Sequence, residues 1–236
     1  MKCFGHIRIF SDEYEWKRAL IDHIYSKLVN IVKIKGRAVV ALSGGSTPYP
    51  IYESLANDVR CNAEVATLLQ FVDFILVDER LVPMCHPDSN GGRLINLWKD
   101  LPLKLHIVDD KLSPPIAALV YDCRIKDLIG DQKGIDIALL GMGVDGHTAS
   151  LFPNSFGLNE LDANFYLNQR DDGTFRFSLS FKALREATER IVILSGKEKL
   201  AILKEMLSTD ARKYPITRLM FDQGTALQWF YLSSND

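Results

Sequence analysis

The chain has 236 residues, 47% of them hydrophobic, which is apolar material enough for one full core, and residues 1–236 read as a single domain. A formal charge of −2 supplies no field that would gather nucleic acid or an anionic membrane, so any anionic ligand must be held by local groups. Cys3, Cys61, Cys85 and Cys123 lack metal-site or disulfide-framework spacing, no run is long enough to span a bilayer, and no apolar signal core precedes Arg8; the expectation is a soluble, cytoplasmic protein.

Residues 7–10 read as a short edge strand. Ser11 is placed to cap a helix over residues 12–35, in which Trp16, Leu20, Ile24, Leu28 and Ile31 recur every three or four positions and Gly36 closes the run. His23, near that stripe, reads as structural. Residues 37–42 form the first buried strand. Ser43, Gly44, Gly45, Ser46, Thr47 and Pro48 follow it directly and open a helix over residues 49–56. Such a turn presents unpaired N–H donors at the positive end of a helix and tolerates proline in the first turn, so it suits a phosphate. It is not a Walker loop, having no Gly-Lys-Ser/Thr.

A helix within residues 62–69 precedes a strand over 71–77. Asp78, Glu79 and Arg80 stand at that strand's C-terminal end, where open α/β sheets present functional residues. Arg80 suits a phosphate or carboxylate clamp, and Asp78 can orient it or accept hydroxyls of a ligand. A short helix over 91–101 and a strand over 105–108 come next. Ser113 and Pro114 then start a helix running to about Ile129, with Ile116, Leu119, Val120 and Cys123 expected inward.

The apolar run over residues 135–140 reads as a buried strand ending in Gly141, Gly143, Asp145, Gly146 and His147. Glycines there bring main-chain N–H groups close to a ligand, and His147 is the side chain in the stretch suited to proton exchange near neutral pH. The spacing Gly141-x-Gly143-x-x-Gly146 also matches a dinucleotide fingerprint. That reading needs a long helix and an acidic residue closing a second strand; Pro153 limits any helix to about two turns, and Glu160 and Asp162 fall in a loop-like stretch. Beyond Pro153, a polar turn over 168–173 joins 165–167 to 175–180 as a hairpin or two edge strands. A buried strand over 190–194, a helix over 197–207 and a last strand within 226–232 complete the chain. The alternation argues an α/β fold: a mostly parallel, doubly wound, Rossmann-like sheet with helices on both faces and small additional strands in the C-terminal third, its loops converging on one cleft.

Gly141-Met-Gly-Val-Asp-Gly-His-Thr-Ala-Ser-Leu-Phe-Pro153 resembles the signature of the 6-phosphogluconolactonases, within the larger group that includes the glucosamine-6-phosphate deaminases. Leu42-Ser-Gly-Gly-Ser-Thr-Pro48 and Asp78-Glu-Arg-Leu-Val-Pro83, with Asp88-Ser-Asn90, match in the same order. The resemblance implies hydrolysis of 6-phosphogluconolactone without cofactor or metal, His147 acting as general base on water. It places the phosphate on Ser43, Gly44, Gly45, Ser46 and Thr47 with Arg80, and adds Asp78, Asn90, Gly143, Asp145 and Gly146 to the substrate contacts. Arg176 and Lys199 fall where related lactonases place an arginine and a lysine. The proline-rich lead and threonine pattern usual around that arginine are absent, and the family's usual asparagine soon after it is replaced by Arg185. The implied partner is a small-molecule sugar-phosphate lactone, with the protein a monomer or weak homo-oligomer.

Two other readings compete. The sister deaminases typically continue after Asp-Gly-His with Ile-Ala-Phe-Asn-Glu-Pro, where this chain has Thr148-Ala-Ser-Leu-Phe-Pro153 and no carboxylate. A sugar-phosphate sensor would use the same cradle without turnover, but has no need of a base beside three glycines.

Overall fold

A computed structural model of the chain describes residues 5–132, 134–159, 162–208, 214–219 and 227–233. Cys3 and Glu160, named above, and residue 226 of the expected last strand lie outside the described residues.

β1 (His6–Phe10) leads into α1 (Glu13–Lys35). The cap is Asp12 rather than Ser11: its carboxylate accepts from the Glu15 N–H at 2.8 Å, and the helix closes on Gly36 in the left-handed region, whose N–H returns to the Val32 carbonyl. The buried stripe is Trp16, Leu20, Ile21, Ile24 and Leu28. β2 (Ala38–Leu42) and β3 (Val72–Leu76) are buried at every position, as strands covered on both faces must be. Between them run α2 (Tyr49–Cys61), which continues past the expected stop at Ala56, and α3 (Ala63–Leu69), capped by the Asn62 side chain. β4 (Asp78–Arg80), α4 (Asn90–Trp98), the two-residue β5 (Lys104–Leu105) and α5 (Pro114–Ile129) follow.

The inward face of α5 is not the one expected. Ile116, Leu119 and Val120 are about half exposed and Cys123 is exposed, while Ala117, Ala118, Tyr121, Asp122, Ile125 and Leu128 are buried. The helix carries apolar residues on both sides, so polar partners decide its rotation. The Tyr121 hydroxyl accepts from the Leu76 N–H at 2.8 Å and donates to the His106 carbonyl at 2.9 Å. The Asp122 carboxylate accepts from the N–H groups of Asn164 and Phe165 at 2.7 and 3.1 Å. Turning the helix to bury Ile116 and Leu119 would strand all of these groups, each at about 1–3 kcal/mol.

The second half contributes β6 (Ile137–Leu140), a hairpin of β7 (Phe165–Gln169) and β8 (Phe175–Leu179), the short α6 (Phe181–Glu186), β9 (Glu189–Ser195), α7 (Lys197–Ser208), the one-turn α8 (Pro215–Arg218) and β10 (Gln228–Leu232). Seven strands form one parallel sheet in the order β1, β10, β9, β6, β2, β3, β5. The chain builds outward from β2 to β3 and β5, then returns to the other side of β2 with β6, β9 and β10. Right-handed crossovers running in opposite directions place helices on opposite faces and leave a switch point between β2 and β6. β4 leaves this sheet and joins β8 and β7 in a separate antiparallel sheet of three strands. The core lies between the parallel sheet and its helices, around Trp16, Tyr52, Phe74 and Trp229.

His23 and Glu189 bond at 2.9 Å with Lys27 on the second carboxylate oxygen, which bears out the structural reading of that histidine. Among the described residues, no helix is long and apolar enough to cross a membrane.

Candidate active site

The switch point puts the two glycine-bearing turns side by side, because β2 feeds residues 43–48 and β6 feeds residues 141–147. The first turn is a row of open donors. α2 begins at Pro48 without a side-chain cap, and among the described residues the N–H groups of Gly44, Gly45, Ser46 and Thr47 have no acceptor. Gly45 has a φ of 105°, a conformation that L side chains rarely adopt, and a Cβ on Gly44 would lie 1.8 Å from the Asn90 carboxamide oxygen. The buried Ser43 is tied down at both ends: its carbonyl accepts from the Tyr52 hydroxyl at 2.9 Å and its Oγ from the Gly141 N–H at 3.4 Å.

The second turn folds back on itself. The Gly143 N–H donates to the His147 carbonyl at 2.8 Å and the Gly146 N–H to the Gly143 carbonyl at 3.1 Å. A Cβ on Gly143 would lie 2.1 Å from the imidazole, so glycine there is what admits the ring. Asp145 Oδ1 accepts from the His147 N–H at 3.2 Å and stands 2.5 Å from His147 Nδ1. Partial burial pushes the Asp145 carboxyl up, but the hydrogen bond and charge of His147 outweigh that and bring it from 3.8 down to about 2. Asp145 is therefore a carboxylate at neutral pH and must accept, which puts the proton of neutral His147 on Nδ1 and leaves Nε2 with a free lone pair. The ring is flanked by Phe152 at 4.6 Å between centroids, and the Arg170 guanidinium lies 4.6 Å from the centre of Phe152.

Arg80 closes the other side. Its Nη1 donates to the Asp88 carbonyl at 2.7 Å, and its buried Nε has no partner among the described residues. Antiparallel pairing sets Arg176 directly opposite Arg80, on the same face of the small sheet. Burial and then the neighbouring Arg80 charge push the Arg176 guanidinium below its usual value. Neither arginine has an ion-pair partner among the described residues, so the two concentrate positive charge beside the cradle.

Residues 43–48, Asp78, Arg80, Gly141, Gly143, His147, Ser195, Glu198 and Lys199 line one cleft of about 420 Å³. Of the residues expected to contact substrate, Asn90, Asp145, Gly146 and Arg176 stand outside that lining. Asn90 is buried behind Gly44 and bonds the Asp78 carbonyl at 2.9 Å, Asp145 is engaged by His147, and Gly146 packs against Tyr214. Arg93, one turn of helix beyond Asn90, stacks on Tyr49, its guanidinium 3.5 Å from the ring centre.

Three participants lay beyond the sequence reading: Glu79, Phe152 and Ser195, whose hydroxyl meets that of Thr47 at 3.0 Å in the cleft lining. Glu79, 3% exposed, accepts from the N–H groups of Arg80, Asn90 and Gly91 and from the Ser89 hydroxyl, so it holds together the segment that carries Arg80. Its place between Asp78 and Arg80 was visible, but its burial was not.

A doubly wound parallel sheet with a cleft at the switch point, an open-donor turn on one strand and a carboxylate-oriented imidazole on the next, defines an α/β enzyme class. Residues 11–229 match the family model described as glucosamine-6-phosphate isomerases/6-phosphogluconolactonase, and the chain belongs to that family. It is 31% identical to the 6-phosphogluconolactonase of Nostoc sp. over 94% of this chain and 93% of that protein. The 6-phosphogluconolactonase of Thermotoga maritima is 32% identical over 80% of this chain and 83% of that protein. Among solved structures, the 6-phosphogluconolactonase from Trypanosoma cruzi superimposes with a TM-score of 0.83 at 25% identity, covering 99% of this chain and 96% of that one.

Proposed function

We propose that this chain, as a single lactonase domain over residues 1–236, hydrolyses 6-phospho-D-glucono-1,5-lactone to 6-phosphogluconate in the oxidative pentose phosphate pathway. The observation that supports this most is that residues 43–47 and His147 open on the same cleft. A sugar lactone is an activated ester; its hydrolysis needs a base for water, a place for the oxyanion and a grip on the distant phosphate, and none of these requires a metal. Water attacks the ring carbonyl as Nε2 of His147 takes its proton, a contribution of roughly 10²–10⁴-fold. The tetrahedral oxyanion is met by a cation of the cleft, since the N–H groups of Gly141, Gly143 and Gly146 already have acceptors. The bond from the carbonyl carbon to the ring oxygen then breaks, and His147 returns the proton to that oxygen, leaving acid and alcohol. The phosphate on residues 43–47, with Arg80 and Lys199 from the cleft lining and the charge of Arg176 behind Arg80, provides the remote binding that sets the carbonyl beside the base.

Phe152 favours this reading over deamination, because it stands in the place of the glutamate in the deaminase motif, and its ring packs against His147 where that carboxylate would be. The formal charge of −2 accords with a small-molecule ligand rather than nucleic acid, and we place the protein in the cytoplasm as a monomer or weak homo-oligomer. The test is hydrolysis of freshly made 6-phosphogluconolactone, followed by pH-stat, beside ammonia release from glucosamine 6-phosphate. Ammonia release without lactone hydrolysis would replace this proposal with the sister reaction.

Two variants examine the parts. Arg80→Ala loses charge-assisted bonds to the phosphate, about 1.5–3 kcal/mol, and is expected to raise KM roughly 10- to 100-fold; an unchanged KM counts against the clamp. Asp145→Asn removes the acceptor that sets the tautomer, and kcat is expected to fall roughly a hundredfold, as for a misaligned catalytic group. Because the folded-state value of Asp145, about 2, lies below its ordinary 3.8, the pairing contributes stability that is present above pH 3.8 and lost as pH falls towards 2. Thermal melts of wild type and Asp145→Asn between pH 2 and 6 should therefore converge at the acid end; a constant gap would be evidence against the pairing.

A further inference from the structure

Ser150 has no part in the mechanism above, yet it is among the most firmly held groups near the cleft. It is 1% exposed. Its N–H donates to Ser178 Oγ at 3.1 Å, its carbonyl accepts from Asn168 Nδ2 at 2.7 Å, and its hydroxyl donates to Asp78 Oδ2 at 2.9 Å. Ser178 and Asn168 are themselves fully buried, so the hydroxyl is aimed by groups that cannot shift.

The backbone before it is strained. Ala149 has a φ of 53°, in the left-handed region where a side chain costs about 1–2 kcal/mol. Such a conformation persists only where the surroundings over-determine it. Here the turn does two things at once: His147 and Ala149 line the cleft, while Thr148 and Ser150 point into the interior. One strained residue thus separates the imidazole from the hydroxyl that holds Asp78. The other carboxylate oxygen, Asp78 Oδ1, receives among the described residues only a long contact of 3.4 Å from Asn90 Nδ2 and keeps acceptor capacity towards the cleft that Asp78 lines.

We propose that Ser150 is a positioning residue, whose hydroxyl pins one oxygen of Asp78 so that the other accepts a hydroxyl of the sugar ring while residues 43–47 hold the phosphate. This rests on the sugar-phosphate reading of the cleft and deepens it. It makes Asp78 the selector of a polyhydroxylated ring and couples its aim to the loop that carries the base.

The experiment is a double-mutant cycle of Ser150→Ala and Asp78→Asn, read as kcat and KM on fresh 6-phosphogluconolactone and as the calorimetric Kd of 6-phosphogluconate. Ser150→Cys, nearly isosteric but a weak donor, stands beside Ser150→Ala to separate the lost bond from a lost volume. In the wild-type background both Ser150 variants are expected to raise KM and Kd roughly tenfold, the lower end for a hydrogen bond to a charged group, with kcat changed less. In the Asp78→Asn background the same changes should fall below about twofold, since coupled groups are non-additive. Equal effects in both backgrounds, or no effect in either, overturn the proposal, because a merely structural serine acts independently of Asp78. A wild-type chain that binds 6-phosphogluconate but does not turn over the lactone refutes the lactonase reading while the Kd cycle still tests Ser150. A chain that does neither refutes both.

Discussion

Replacing His147 with alanine is expected to lower kcat for lactone hydrolysis by roughly 10²–10⁴-fold, the range for loss of a general base. The fold should survive. The ring is about one-third exposed and is held by Asp145 and by the face of Phe152, so its removal empties no sealed core site. Affinity for 6-phosphogluconate should persist, because the proposed phosphate seat, residues 43–47, follows a different strand. A variant with near-normal turnover would remove the proposed base, and one that also lost product binding would show that His147 serves the ligand rather than the proton. Stopped-flow or pH-stat rates with circular dichroism on the same samples distinguish these outcomes.

The largest expected effect on stability comes from a residue with no chemistry of its own. Glu79→Ala removes the single carboxylate that satisfies the N–H groups of Arg80, Asn90 and Gly91 and the hydroxyl of Ser89. Leaving several of these unpaired costs about 3–5 kcal/mol, or a fall in Tm of about 10 °C for a chain of this size. Burial keeps the Glu79 carboxyl above 4.5 even though three backbone amides pull it down, so the fold tolerates a disfavoured charge in order to organise this segment. Being raised, that group contributes most below pH 4.5, and the contribution shrinks as pH climbs through the folded-state value. A calorimetric Tm within about 2 °C of wild type at pH 5 would show that water replaces the carboxylate without loss. Arg80 and Asn90 should lose their placement with it, so KM is expected to rise in step.

The architecture was legible where burial on both faces writes itself as an unbroken apolar run, as in β2 and β6, and where a stripe recurs at helical spacing, as in α1. The two glycine turns were legible because open backbone needs residues without Cβ, and their meeting followed from the strand order. Three things were not. The rotation of α5 was hidden because two apolar faces compete and the decision rests with Tyr121 and Asp122, whose partners lie far away in sequence. The three-residue β4 was hidden because its pairing with β8 joins segments about a hundred residues apart, with no periodicity over so short a run. The roles of Asp145 and Glu79 were hidden for a common reason: a carboxylate reads the same in sequence whether it faces a ligand, orients a ring or gathers buried amides, and only geometry tells these apart.

The cradle and the imidazole ride on neighbouring strands joined in register from Val40 opposite Ile137 to Leu42 opposite Leu139, with a further bond from the Ser43 N–H to the Leu139 carbonyl at 3.2 Å. Such a ladder neither stretches nor slides, since a slip of one residue would turn every side chain to the wrong face. The span from anion seat to proton acceptor is thereby a rigid gauge. On the lactonase reading, a sugar one carbon shorter, or one phosphorylated closer to its carbonyl, would dock with the reacting carbon out of reach, so length sorts substrates before any hydroxyl is read.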